Sequence, residues 1–286
     1  MRFALISKLL PLLALAPLLL VGSAASADGY IYGGGDKLGD YNANDVGDLA
    51  RAVQNPVADL ISLPFQNNTN FDFGPEENTQ NVLNIQPVVP IDLNDDWLLI
   101  TRTIAPVVSQ PKLAPGGDRE NGLGDTTFSA FFSPKDRDRW LGNWLWGAGP
   151  VILAPTNTDD RLGPDEWGAG VSAVFLSMPG DWVLGSLFSN VWGEDDVNLF
   201  TWQPFINYNL DAGWYLTTSP IVTANWDADS NGDRWTVPIG GGFGRVFLMG
   251  RQPVNMSLQY FHNVEKPNDI GPDWTLRGTV QFMFPR

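Results

Sequence analysis

The chain has 286 residues, with 17 Lys and Arg against 32 Asp and Glu, a formal net charge of −15 and no cysteine. That charge balance excludes a nucleic-acid partner, which would need a basic surface to displace counterions. The missing cysteines exclude disulfide staples, a thiol nucleophile and a thiolate metal site, so an exported domain would draw its stability from a large core or from a membrane.

Arg2 and Lys8 open the chain, Leu9 to Val21 is an apolar stretch, and Ala25-Ser26-Ala27 follows with small residues at the spacing a signal peptidase reads. Residues 1–27 therefore read as a secretory signal peptide, with an apolar stretch shorter than the ~20 residues of a spanning helix. Residues 28–56 form a separate N-terminal segment. Gly33-Gly34-Gly35 is a hinge, and Val46, Leu49, Ala50 and Val53 recur at helical spacing behind Asn44 or Asp45 as cap. This predicts one short amphipathic helix, lying on the periplasmic side or in a barrel mouth as a plug.

From Val57 onward the period changes to two. Trp274, Leu276, Gly278, Val280, Phe282 and Phe284 share one face, while Thr275, Arg277, Thr279 and Gln281 share the other. Such segments lie near 57–73, 80–92, 97–108, 122–134, 144–153, 167–177, 182–192, 198–210, 214–226, 235–248, 254–264 and 274–284. Most match the ~9–11 residues of a tilted membrane strand rather than the ~5–6 of a globular one. Short turns such as Asn94-Asp95-Asp96, Met178–Asp181 and Asp211–Gly213 alternate with connections that are generally longer or more acidic, at 109–121, 154–166, 193–197, 227–234 and 265–273. Trp97, Trp182 and Trp214 follow short turns, and Trp167, Trp192, Trp226, Trp235 and Trp274 stand at the opposite strand ends, as two interfacial belts would require. The expected fold is all-β: an antiparallel up-and-down transmembrane β-barrel of about twelve strands over residues 57–286, with the short N-terminal helix before it.

Prolines oppose this pattern. Pro87, Pro90, Pro106, Pro150, Pro204, Pro220 and Pro238 lie inside the strands, where they donate no ladder bond. A turn centred on Ala212 places Pro204 opposite Pro220, and Gly240-Gly241-Gly242 sits in the following strand, which predicts a local bulge or pinch in the wall.

The segments "NPVADLISLPFQNNTNFDFGP", "TQNVLNIQPVVPIDLNDDW", "GLGDTTFSAFFSP", "QPFINYNLDAGWYLTTSPIVTANW", "RWTVPIGGGFGRVF" and "RQPVNMSLQYF" together resemble a family of uncharacterised Gram-negative outer-membrane proteins. Its members are often labelled transporters, or mislabelled neuromedin U, and are related to barrels of the phenol meta-degradation pathway. The resemblance spans roughly residues 52–286 and implies an outer-membrane location, a barrel fold and transport. It carries no site residues. Phe284 is followed by Pro285 and Arg286, a departure from the terminal aromatic residue that many such barrels present to the barrel-assembly machinery.

Polar-face parity nominates Asp125, Gln203, Asn207, Asn225, Gln259, Arg277 and Gln281 as lumen-lining, with Arg102 added from a segment that alternates poorly. Such a lumen suits a passive channel for small molecules, with an aromatic or hydrophobic preference that rests on the resemblance alone. The alternatives are a non-conducting structural or adhesive barrel, a soluble secreted β-protein and a barrel-borne hydrolase. His262, the only histidine, shares parity with Leu258 and Tyr260 and is expected outside, so no catalytic residues are assigned. Asp227, Asp229, Asn231 and Asp233 alternate like the first half of a calcium loop, but the later glutamate position is Pro238, leaving a polar outer loop as the simpler reading and calcium as the one candidate ion. Expected partners are outer-membrane lipid, lipopolysaccharide, the assembly machinery and a small solute.

Overall fold

The computed structural model describes residues 46–113, 116–136, 144–194, 197–268 and 270–285. The signal-peptide segment and residues 28–45, with the candidate caps Asn44 and Asp45, lie outside them. The described strands join in one antiparallel sheet of fifteen segments. They are β1 (Leu60–Phe73), β2 (Asn78–Ile85), β3 (Val88–Asp92), β4 (Trp97–Gln110), β5 (Glu120–Leu123), β6 (Thr126–Pro134), β7 (Leu145–Ala154), β8 (Gly168–Ser177), β9 (Trp182–Gly193), β10 (Asn198–Asn209), β11 (Trp214–Thr218), β12 (Val222–Asn225), β13 (Trp235–Met249), β14 (Gln252–Glu265) and β15 (Trp274–Pro285). β2 and β3, β5 and β6, and β11 and β12 are each one stave with a break, so the barrel has 12 staves at the positions the period-two pattern predicts. β1 pairs with β15 from Leu60↔Pro285 to Phe71↔Trp274, which closes the cylinder and leaves no edge.

Alternation sorts the side chains. In β1 the even positions Ser62, Gln66, Asn68 and Asn70 are buried inside. Leu216, Phe243, Leu258 and Leu276 point outward and are 36–53% exposed. A band of such residues runs around the barrel. In water it would exceed the few hundred Å² of apolar patch that soluble monomers tolerate; against hydrocarbon it costs nothing. Trp182 and Trp214 open β9 and β11 at the short-turn end, and Trp192 and Trp274 stand at the other end. No helix among the described residues is long and apolar enough to cross a membrane.

Both ends of the barrel sheet, Leu60 and Pro285, lie at the short-turn end, which is the periplasmic one in an outer-membrane barrel. There the β10–β11 turn places Ala212 at φ 56° and Gly213 at φ 75°, a left-handed pair that only Gly adopts without strain. The opposite end carries the longer connections. Its first connection, Gly74–Glu77, is a tight turn instead.

Two irregularities shape the wall. From Val107↔Leu123 to Ile104↔Thr127 one strand advances one residue further than its partner, a bulge at Gly124-Asp125. Parity flips across it, so Leu123 faces out and Asp125 faces in. The second is the break at Ser219–Ile221. Ile206↔Thr218 and Trp202↔Val222 flank it, which sets Pro204 opposite Pro220 as the turn geometry predicts. On the other side, pairing with β13 stops at Thr217↔Gly242 and resumes at Thr223↔Thr236. A Cβ at Gly240 or Gly242 would come 1.9 Å from the Tyr260 or Leu258 carbonyl oxygen, so β13 bends here against β14 in a way only glycine allows. Side chains take over where the ladder fails: the Thr218 hydroxyl donates to the Gly240 carbonyl (2.6 Å) and Arg277 Nη1 to the Ser219 carbonyl (2.7 Å).

The N-terminal helix α1 (Val46–Val53) sits in the mouth at the short-turn end. Its apolar stripe, Val46, Leu49, Ala50 and Val53, packs on Leu60, Tyr215, Val246 and Met283 from the barrel wall. Arg51 donates to the Gly180 carbonyl and lies 3.7 Å from Asp181, and Gln54 Nε2 donates to Asn209 Oδ1 at 2.7 Å.

Candidate functional site

The lumen has two unlike walls. One, on β1, β2, β14 and β15, is built of amides, with Gln66, Asn68, Asn84, Gln259 and Gln281 all buried. The other, on β4 and β6 to β10, centres on one buried apolar cluster, Ile100, Ile104, Phe131, Val174, Leu187 and Phe205, with buried Arg102, Ser129, Gln203 and Asn207 on the same strands. That cluster adds a hydrocarbon surface to the amides, hydroxyls and charges that polar-face parity nominates. β4 mixes apolar and polar residues at both parities, so period two could not say which of its side chains turn inward, whereas in β6 Phe131 shares the inward parity of Thr127 and Ser129. Gln66, Asn84, Gln203, Ile104 and Leu187 are 0% exposed, which is the burial of a packed interior rather than of a water-filled pore.

The nominated residues occupy different places within this frame. Arg102 lies in β4 near the apolar cluster, where Nη2 donates to Gln86 Oε1 at 2.8 Å beside a cavity of about 20 Å³. Gln203 is fully buried beside the wall break, and neither polar atom of its amide has a partner among the described residues. Asn207 is buried in the half of β10 nearer the short-turn end. Gln259 accepts the Ser219 hydroxyl at 3.0 Å, tying β14 to the break, and Gln281 Oε1 accepts from Asn255 Nδ2 at 3.3 Å. Asn225 caps the outer connection after β12, its Oδ1 accepting the Asp227 N–H at 3.2 Å.

Asp125 holds a loop. Its Oδ1 accepts the N–H groups of Thr156 (2.9 Å) and Asn157 (3.0 Å), and its Oδ2 that of Asp165 (3.0 Å). A Cβ at Gly163 would stand 2.3 Å from Oδ2, so glycine there allows the loop to close over the carboxylate. The loop then inserts Leu162, 0% exposed, against Val82 and Val108. Asp125→Ala removes three charge-assisted bonds, roughly 2–4 kcal/mol of loop anchoring. Tryptic cleavage after Arg161 in intact barrels is expected to rise at least about tenfold, and unchanged protection would show that the loop is held otherwise. Farther out, Arg161 pairs with Asp159 and Glu120. The hydrogen bond from Arg161 holds the Asp159 carboxyl down to about 2. A folded value below the ordinary ~3.9 means the contribution is complete above about pH 4 and is lost as pH falls toward 2. Hydrogen exchange across Asn157–Gly163, corrected for intrinsic rate, should therefore stay slow at pH 5 and quicken near pH 2.

In the 227–233 loop, Asp227, Asp229 and Asn231 are exposed, while the Asp233 carboxylate is engaged by the Ser230 hydroxyl (2.6 Å) and the Asn268 N–H (3.1 Å). No group of three or more His, Asp and Glu among the described residues is placed to hold a metal ion. His262 is exposed on the outward face of β14, opposite Trp274.

No family model matches the chain, and no curated protein matches it either. Among solved structures it is similar to an outer-membrane channel from Pseudomonas putida F1, at 19% identity over 80% of this chain and 96% of that one, with a TM-score of 0.63. Two more distant barrels are the outer-membrane phospholipase of Salmonella typhi (12% identity, 79% of this chain and 90% of that one, TM-score 0.44) and a BenF-like porin from Pseudomonas fluorescens Pf-5 (12%, 79% and 98%, 0.34). The first of these likenesses establishes the shared barrel fold.

Proposed function

We propose that this protein is a passive outer-membrane channel for small molecules that carry both an apolar and a polar part, held closed at the periplasmic mouth by α1. The observation that carries the reading is the two-walled lumen. An apolar cluster facing an amide wall inside a lipid-spanning cylinder gives a solute a dry side and a hydrogen-bonding side along one path. A purely structural barrel gains nothing from facing hydrocarbon side chains with buried amides. Beside α1 a surface groove of about 350 Å³, lined by Asp48, Arg51, Asp181, Tyr208 and Asp211, runs along the rim of the mouth. The solved channel from Pseudomonas putida supports the assignment at the level of a common barrel.

One observation favours the second reading, a non-conducting barrel: the interior side chains are fully buried. Planar-bilayer recording separates the two. The channel reading expects small, infrequent openings from the intact protein. Silence across salts and voltages, with the folded barrel verified by heat-modifiable migration, would leave the non-conducting barrel standing.

A further inference from the structure

Beneath the outer mouth, Arg277 is buried in the wall with no carboxylate paired to it among the described residues. Nε donates to Asn68 Oδ1 at 2.8 Å, Nη1 to the Ser219 carbonyl at 2.7 Å, and the guanidinium lies 4.6 Å from the Phe261 ring centroid. All three neighbours are neutral, so the positive charge is solvated by dipoles and a π face but not cancelled. A guanidinium has five N–H groups, and these contacts use two of them.

Arg277 and Asn68 both line a cavity of about 50 Å³, which exceeds the ~10–15 Å³ that one water requires. Because Asn68 Oδ1 must accept from Arg277, its Nδ2 is fixed as a donor, and that buried Nδ2 has no partner in the described structure. The cavity's other lining includes Phe73, Ile221, Phe261 and Pro238. Uncancelled positive charge and spare donors thus meet at one small hole with an apolar side. Water alone would satisfy the donors and leave the charge. An anion with acceptor oxygens satisfies both.

We infer that this cavity is a subsite for the carboxylate group of a small organic anion, held by Arg277 and Asn68 with its apolar remainder against Phe73 and Phe261. The inference rests on the channel reading for its place in transport, but the binding itself does not require conduction.

The test is calorimetric titration of the detergent-solubilised protein with sodium acetate and sodium benzoate, with acetamide as the uncharged control. Acetate and benzoate are expected to bind and acetamide to give no heat. Asn68→Asp is the informative variant. It is isosteric, keeps the partner of Nε, leaves the Ser219 contact in place, and cancels the guanidinium charge from within. It should retain heat-modifiable migration and weaken both anions at least about tenfold. Arg277→Gln should do the same where it folds. Equal binding by wild type and Asn68→Asp, or no binding by wild type, overturns the subsite. Anion binding in a protein that never conducts would keep the subsite and sink the channel.

Discussion

Leu258→Arg is expected to destabilise the membrane-inserted barrel by about 2–4 kcal/mol, the cost of an arginine on the lipid face at mid-depth. Leu258 lies at the middle of β14, paired with Phe243 on one side and Gly278 on the other, and is 44% exposed with its side chain outward. The magnitude separates two physical pictures. If that surface met water, replacing a half-exposed leucine by arginine would fall within about 0.5 kcal/mol of neutral. Urea unfolding of protein refolded into lipid vesicles measures the difference. The same substitution at Tyr260 or Met256, nearer the ends of the stave, should cost less as the side chain reaches a headgroup layer.

Leu49→Asp is expected to raise single-channel conductance at least about fivefold. Leu49 is 4% exposed, in the cluster where α1 meets Tyr215, Val246 and Met283. A carboxylate there has no basic partner to meet, and burying it unpaired costs several kcal/mol. Leaving the mouth is the cheaper outcome, because eight residues of helix gain little from their own hydrogen bonds once the apolar stripe is unpacked. Arg51→Ala removes only polar anchors at the rim, the Gly180 and Asp181 contacts, and should produce more frequent openings without that increase in size. Conductance of Leu49→Asp equal to wild type, with the barrel still folded, would mean that α1 does not close the path.

Much of this was legible in the sequence because lipid enforces a strict rule. Alternate residues of a membrane strand meet opposite solvents, so the Trp274–Phe284 run could be read position by position, and the helix emerged from Val46, Leu49, Ala50 and Val53 alone. Pro204, Pro220 and Gly240–Gly242 likewise announced the wall break. Parity fails where both faces are apolar. Ile100 faces inward beside outward Leu99, and on the inward face of β4 Arg102 stands between Ile100 and Ile104, so alternation in that strand did not reveal the apolar cluster. It also fails to report distance. Asp125 has the parity of a lumen residue, yet its carboxylate is consumed by loop N–H groups from residues 156, 157 and 165, which sit far along the chain. Arg277 was legible as inward-facing, but its pairing with the Ser219 carbonyl depends on a break in another stave. The segments thought to alternate in length by side are only partly so, since the tight turn at Gly74–Glu77 belongs to the outer end.

The chain has no native cysteine, so contact of one face of the sheet with lipid can be tested residue by residue. Single cysteines at Leu276, Val280 and Phe282, and at Thr275, Thr279 and Gln281, each labelled with bimane in vesicles, can be challenged with lipids bearing a doxyl quencher on the acyl chain. Strong quenching is expected at the first three and little at the second three, alternating along one strand. Equal quenching at all six, or none at any, would mean that hydrocarbon does not bathe one face of this sheet.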